Sequence, residues 1–142
     1  MGGVWPVNIL KITLPVENNP APNVSWVQCV GLLSQPEMIN AYADADGLLF
    51  LSTDESYGLP LVEAMFMDLP IICPDLPYAH AICGEGAIYF DPLSIDSLFD
   101  AVSILQSRLE NGWRTDWSVQ MSAIPRNWEE VAEAMIAIAC PL

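Results

Sequence analysis

Basic side chains are scarce in this sequence. Its 142 residues include four Lys and Arg against 18 Asp and Glu, which gives a formal net charge of −14. Nucleic acids and anionic membrane surfaces are bound through clusters of Lys and Arg. The charge therefore argues against both as partners. It also weakens any binding of an anionic ligand that relies on side chains alone.

Long apolar runs and metal-binding patterns are missing as well. Apolar runs, such as that at residues 47–51, fall far short of the roughly 20 residues that a membrane-spanning helix needs. No basic start precedes an apolar stretch, so we predict no signal peptide. The four cysteines form no Cys-x-x-Cys pair and His80 is the one histidine, so we predict reduced, structural cysteines and no metal site. These features favour a cytoplasmic protein without a transmembrane segment.

The chain has the length of one ordinary domain, residues 1–142. Strand-like and helix-like segments alternate along it, which predicts a parallel sheet covered by helices on both faces. The run at 47–51 is continuously apolar, as in a strand buried on both sides. The predicted strands are residues 8–13, 24–30, 47–51, 70–74 and 87–90. The predicted helices are residues 36–44, 59–67, 95–109 and 128–139.

The stretch TDESYGLPLVEAM, residues 53–65, directly follows the predicted strand at 47–51. Ligands of parallel α/β sheets bind at the carboxyl ends of strands. Gly58 permits unusual backbone angles, and Pro60 suits the first turn of a helix. The amides of Gly58 and Leu59 would then lie at a helix N-terminus, which binds phosphate without any basic side chain.

Two carboxylates flank this turn. From spacing alone, Glu63 is predicted to be an ordinary solvated helix residue. Glu55 is predicted to be a loop carboxylate stabilised by the helix N-terminus by about 0.3–1 kcal/mol. Neither residue is specific by itself.

The whole string, however, resembles the carboxyl-terminal nucleotide-sugar-binding domain of the retaining GT-B glycosyltransferases called family 4, or group 1. That family carries a Glu-x7-Glu element, usually written E-G-F-G-L-P-x-x-E-A-M, which here reads ESYGLPLVEAM. The following LPIICPDLP and GEGAIYFDP also resemble the family. The resemblance covers about residues 24–139.

The resemblance implies a Rossmann-like three-layer α/β domain with a mostly parallel sheet. The chain would correspond to most of one half of a GT-B glycosyltransferase, lacking the first strand-loop-helix segment of that half. The implied reaction transfers a sugar from a UDP-, GDP- or ADP-sugar to an acceptor with retention of configuration. No cofactor and no metal ion are expected.

The resemblance also assigns roles to the residues of the motif. Glu55 would be the catalytic residue beside the transferred sugar, and Glu63 would bond the ribose of the nucleotide. Gly58 and Leu59 would present amides to the diphosphate and the sugar. Three further residues would shape the binding loop: Ser56, Tyr57 and Pro60.

Members of this family also have an acceptor-binding domain and usually a G-R-L…K-G segment whose basic residues neutralise the diphosphate. Neither is found in this sequence, and Lys11 lies within a predicted strand. We therefore expect a hexosyltransferase domain with an incomplete active site. It would be inactive without an acceptor-binding half, and that half or a second copy of the chain is the expected protein partner.

Two other hypotheses remain open at this point. The first is a non-catalytic interaction or regulatory protein that kept the glycosyltransferase fold. The second is a receiver-like domain, which is less favoured because its aspartates, such as Asp54, are followed by no lysine. His80 is predicted to be a local loop or surface residue without a catalytic role, and residues 111–117 are predicted to form a loop.

Overall fold

The computed structural model describes residues 7–139. Its strands are β1 Leu10–Ile12, β2 Val27–Cys29, β3 Leu48–Leu49, β4 Ile71–Pro74 and β5 Ile88–Phe90. Its helices are α1 Gln35–Ala43, α2 Leu59–Phe66, α3 Pro77–Cys83, α4 Ile95–Glu110, α5 Ser118–Ser122 and α6 Trp128–Ala139. All predicted strands and helices are thus found, the strands shorter than predicted. No helix in this described part is both long and apolar enough to cross a membrane.

The strands pair in parallel throughout, in two separate sheets. β1 pairs with β2, and a three-stranded sheet has the order β3-β4-β5. Within residues 7–139, β1 is paired only with β2, and β3 only with β4. The predicted α/β fold with parallel pairing is confirmed. The division into two sheets was not predicted.

Helices cover both faces of the three-stranded sheet. Successive side chains of a strand point to opposite faces, so Ile71 and Cys73 of β4 face one side and Ile72 faces the other. The first side packs against α2 and α3, around Leu61. The second side packs against α4, around Val102. This is the three-layer arrangement that the alternating pattern predicts.

β3 differs from its prediction as a strand buried on both faces. It has two residues, Leu48 and Leu49, and both are only half-buried. Leu51 just beyond it is 54% exposed. The reason is its position at the edge of the three-stranded sheet, where one side of the strand has no neighbouring strand among the described residues.

Two helices were not predicted. α3 begins at Pro77, where a missing backbone N–H costs nothing, and is followed by Gly84 at φ +52°. His80 is exposed, as predicted, but lies on this helix rather than in a loop.

α5 follows Trp117, which is only 1% exposed and donates its indole N–H to the carbonyl of Leu69 at 2.8 Å. The segment before α5 is a loop, as predicted, but its last residue, Trp117, packs in the core.

Candidate functional site

The turn between β3 and α2 depends on one glycine. We call residues 55–63 the two-glutamate segment. Gly58 is buried and has left-handed backbone angles, φ 62° and ψ 36°. A Cβ atom at this position would lie 2.5 Å from Cδ1 of Ile82 and 3.3 Å from Cδ1 of Leu61. Both the backbone conformation and the space available therefore disfavour a side chain, which would fit only if the end of the Ile82 side chain moved. Pro60 lies in the first turn of α2, as predicted.

Glu55 is hydrogen-bonded to its own turn. Its Oε1 accepts from the amides of Ser56 at 3.0 Å and Tyr57 at 3.3 Å. The amide of Gly58, followed by those of Tyr57 and Ser56, lowers the pKa of this carboxyl below its ordinary value. Glu55 thus faces the amide of Gly58, which was predicted to meet a diphosphate.

Glu63 is bonded by a residue that the sequence analysis did not single out. It lies exposed on α2, and its Oε2 accepts a hydrogen bond from the hydroxyl of Tyr42 at 2.9 Å. Tyr42 belongs to the last turn of α1. Burial, and then the hydrogen bond and charge of Glu63, raise the pKa of Tyr42. The hydroxyl therefore keeps its proton and acts as a donor to Glu63.

Helix α3 supports the two-glutamate segment from the interior. The hydroxyl of Tyr78 donates to the carbonyl of Ser52, just after β3. One turn later on the same face of the helix, Ile82 lies against Gly58. The approach of the chain to the turn and the turn itself are both held by this helix. The sequence analysis predicted neither this role of Tyr78 nor the helix that carries it.

The structure brings all seven predicted site residues together in one short surface segment. Tyr57 is 78% and Leu59 is 63% exposed, while Glu55 is half-buried and Glu63 is exposed. The two carboxylates can accept hydrogen bonds from hydroxyl groups. The backbone amides at the exposed start of α2 can donate hydrogen bonds to an anion.

Basic side chains lie elsewhere in the described part of the chain. Lys11 is on β1, in the other sheet, and Arg108 ends α4 with its guanidinium 5.1 Å from the ring of Trp113. His80 lies on α3. Its Nε2 is 2.6 Å from Oδ1 of Asp75, and its ring stacks on that of Tyr89 with the centroids 3.9 Å apart. The segment therefore combines its two carboxylates with backbone dipoles rather than with lysine or arginine.

Comparison with known proteins gives a consistent result. Residues 13–108 match the family described as Glycosyl transferases group 1. O-antigen chain mannosyltransferase B of Escherichia coli is 28% identical over 89 residues, which are 63% of this chain and 23% of that protein. O-antigen chain mannosyltransferase RfbU of Salmonella typhimurium is 35% identical over 72 residues, 44% of this chain and 20% of that protein. The serotype-specific mannosyltransferase WbdA of Escherichia coli is 38% identical over 85 residues, 58% of this chain and 10% of that protein.

The matched residues include the segment described above. The chain spans less than a quarter of the length of the three relatives, between 10% and 23%. The part that matches the family contains β2 to β5, α1 to α3 and the whole two-glutamate segment. The chain belongs to the group 1 glycosyltransferases.

Proposed function

We propose that this domain binds a nucleotide-sugar donor and forms the donor half of a retaining hexosyltransferase. One observation carries the proposal: the complete Glu-x7-Glu element folds at the carboxyl end of β3 and leads into the N-terminus of α2. That end of a parallel sheet is where α/β domains bind ligands. Turnover would require an acceptor-binding half, so the chain alone would bind donor without transferring sugar.

Each predicted site residue keeps a role in this proposal. Glu55 would accept hydroxyl groups of the transferred sugar, because a carboxylate has about four acceptor positions and its two amide bonds use only part of them. Glu63 would accept hydroxyl groups of the ribose. The amide of Leu59 would face the diphosphate, together with that of Gly58, which in the chain without ligand faces the carboxylate of Glu55. Three neighbours would shape the loop around the donor: Ser56, Tyr57 and Pro60.

The charge that develops on the departing diphosphate would be met by fixed dipoles. α2 is eight residues long, and its N-terminus carries a partial positive charge of about +0.5. Preorganised dipoles aimed at a developing charge are among the largest contributions to catalysis. Because the two-glutamate segment contains no lysine or arginine, we propose that an acceptor half or a preceding segment supplies the missing cations.

A preceding strand-loop-helix segment is part of the proposal. Each of β1 and β3 has one edge without a strand partner among the described residues. In doubly wound sheets the first strand lies in the middle, with later strands added on both sides. A parallel strand between β1 and β3 would join the two sheets into one. It could belong to the same longer protein or to a separate chain.

The names of the relatives suggest a sugar to test, and the cysteines bear on the compartment. The relatives are named mannosyltransferases, so we propose mannosyl donors as the first to test among the UDP-, GDP- and ADP-sugars. Cys73 and Cys83 are free, buried thiols. Free thiols persist in reducing compartments, which supports placing the reaction in the cytoplasm.

The test is a calorimetric titration of the full 142-residue chain with UDP-, GDP- and ADP-sugars, including GDP-mannose. Glu63→Ala should abolish binding. Glu133→Ala is the matched control, because it removes another exposed helical carboxylate, on α6, with the same change of charge. If no nucleotide-sugar binds at millimolar concentration, or if both variants behave alike, the proposal is wrong.

A non-catalytic interaction protein is the second candidate, favoured by one surface. Helix α6 exposes Trp128, which is 87% accessible, together with Met135 and Ile136. Exposed apolar patches of this kind mark interaction sites. Light scattering distinguishes the two candidates: an oligomer that binds no nucleotide-sugar favours this one, whereas a monomer that binds nucleotide-sugar contradicts it.

A further inference from the structure

The side chain of Glu63 is reached by a residue from a different helix. Tyr42 lies 21 residues earlier in the chain, in the last turn of α1, and its hydroxyl is 2.9 Å from Oε2 of Glu63. Tyr42 also packs against the buried cluster that contains Leu61 and Met65 of α2. Its ring is therefore held by the core, while its hydroxyl points out to an exposed carboxylate.

This contact restricts a side chain that is otherwise free to move. A surface glutamate loses rotamer entropy when it is fixed in one conformation. The aromatic ring of Tyr42 has few conformations of its own, so its hydrogen bond fixes the carboxylate of Glu63 before any ligand arrives. One bond to Oε2 leaves most of the roughly four acceptor positions of the carboxylate unused.

We propose that Tyr42 is a positioning residue, which holds Glu63 in the orientation that accepts the 2′- and 3′-hydroxyl groups of a nucleotide ribose. The inference rests on the proposed function, since it assumes that Glu63 meets a ribose. Two hydroxyl groups on neighbouring carbons can donate to the two oxygens of one carboxylate. Such a bidentate contact depends on the direction of the carboxylate plane, which is what the Tyr42 hydroxyl controls.

The test uses Tyr42→Phe, which removes one oxygen and keeps the packed ring. GDP, UDP and ADP are titrated against the variant and the unaltered chain, together with the 2′-deoxy form of each nucleotide. We expect the Kd of the ribonucleotide that binds to rise about three- to tenfold. The Kd of its 2′-deoxy form should change by less than about twofold, because one of the two oriented bonds is already missing.

Tyr89→Phe is the matched control. The hydroxyl of Tyr89 is also half-buried and donates one hydrogen bond, but to the carbonyl of Gly84 rather than to Glu63. Its removal should leave every Kd unchanged.

Two results overturn the inference, and they can be told apart. If the unaltered chain binds none of GDP, UDP and ADP, the proposed function is wrong and this inference falls with it. If a nucleotide binds and Glu63→Gln weakens it, but Tyr42→Phe leaves the ratio of ribonucleotide to deoxyribonucleotide binding unchanged, only this inference is wrong.

Discussion

Replacing Gly58 by alanine tests whether the turn of the two-glutamate segment has the conformation described above. The variant Gly58→Ala should lower the free energy of unfolding by about 2–5 kcal/mol. About 1–2 kcal/mol comes from holding a residue with a Cβ in the left-handed region. About 1–3 kcal/mol comes from overpacking, since the added carbon would lie 2.5 Å from Cδ1 of Ile82. A domain with about 5–15 kcal/mol of stability would be weakened markedly.

A second variant separates the two contributions. Ile82→Val removes Cδ1, the atom that the new methyl group would meet, at a cost of about 0.5–1.5 kcal/mol by itself. In that background Gly58→Ala should cost only the backbone part, about 1–2 kcal/mol. The difference between the two backgrounds measures the steric conflict directly.

Urea unfolding followed by tryptophan fluorescence measures these changes, because Trp117 lies in the core beside α2 and α3. Nucleotide-sugar titration of the same variants reports whether a distorted turn also loses donor binding. If Gly58→Ala changes the unfolding free energy by less than about 0.5 kcal/mol, Gly58 is not held at positive φ against Ile82. The assignment of the turn would then be wrong.

Three further predictions follow from the same structure. Trp117→Phe leaves the carbonyl of Leu69 without its indole donor and should cost about 2–4 kcal/mol in urea unfolding; a cost below about 1 kcal/mol would contradict the buried hydrogen bond. Backbone amides lower the pKa of Glu55 below its ordinary 4.5, so they stabilise the turn fully above pH 4.5. This contribution is lost as the pH falls through the lowered pKa. An NMR titration of the carboxyl group that shows no lowering of its pKa would refute this. In the folded chain, mass spectrometry should find thiol reagents on Cys29 before Cys73, because Cys73 is fully buried and Cys29 is partly exposed; equal rates would contradict the burial.

Periodicity and composition were sufficient for most of the fold because its elements have strong local signals. The long helix α4 repeats its apolar residues at helical spacing, and α6 has the same bounds as its prediction. α3 was not predicted because its seven residues, Pro77–Cys83, are too few for a periodic signal. The order of the strands was also beyond local reasoning, since a run such as residues 47–51 does not say whether the strand lies at a centre or at an edge.

The motif located the candidate site, but the residues around it are distant in sequence. Tyr42 contacts Glu63 of the segment from 21 residues away in the sequence, and Tyr78 contacts Ser52, just before the segment, from 26 residues away. The signal that was available for Tyr42 was a single aromatic residue at the end of an otherwise weakly apolar helix. Such a signal is compatible with simple packing, and only the structure shows where the hydroxyl points.

The bonds between Glu55 and the amides of Ser56 and Tyr57 have a consequence for how tightly a ligand could be held. The turn carries its own hydrogen-bond acceptor, so its shape is established when the chain folds. Ordering a loop during association lowers affinity, because the lost chain entropy is subtracted from the binding energy. In this chain the entropy of the turn is lost during folding rather than during binding. A sugar arriving at Glu55 would meet a preorganised turn, and its affinity would reflect the contacts it makes rather than the cost of arranging them.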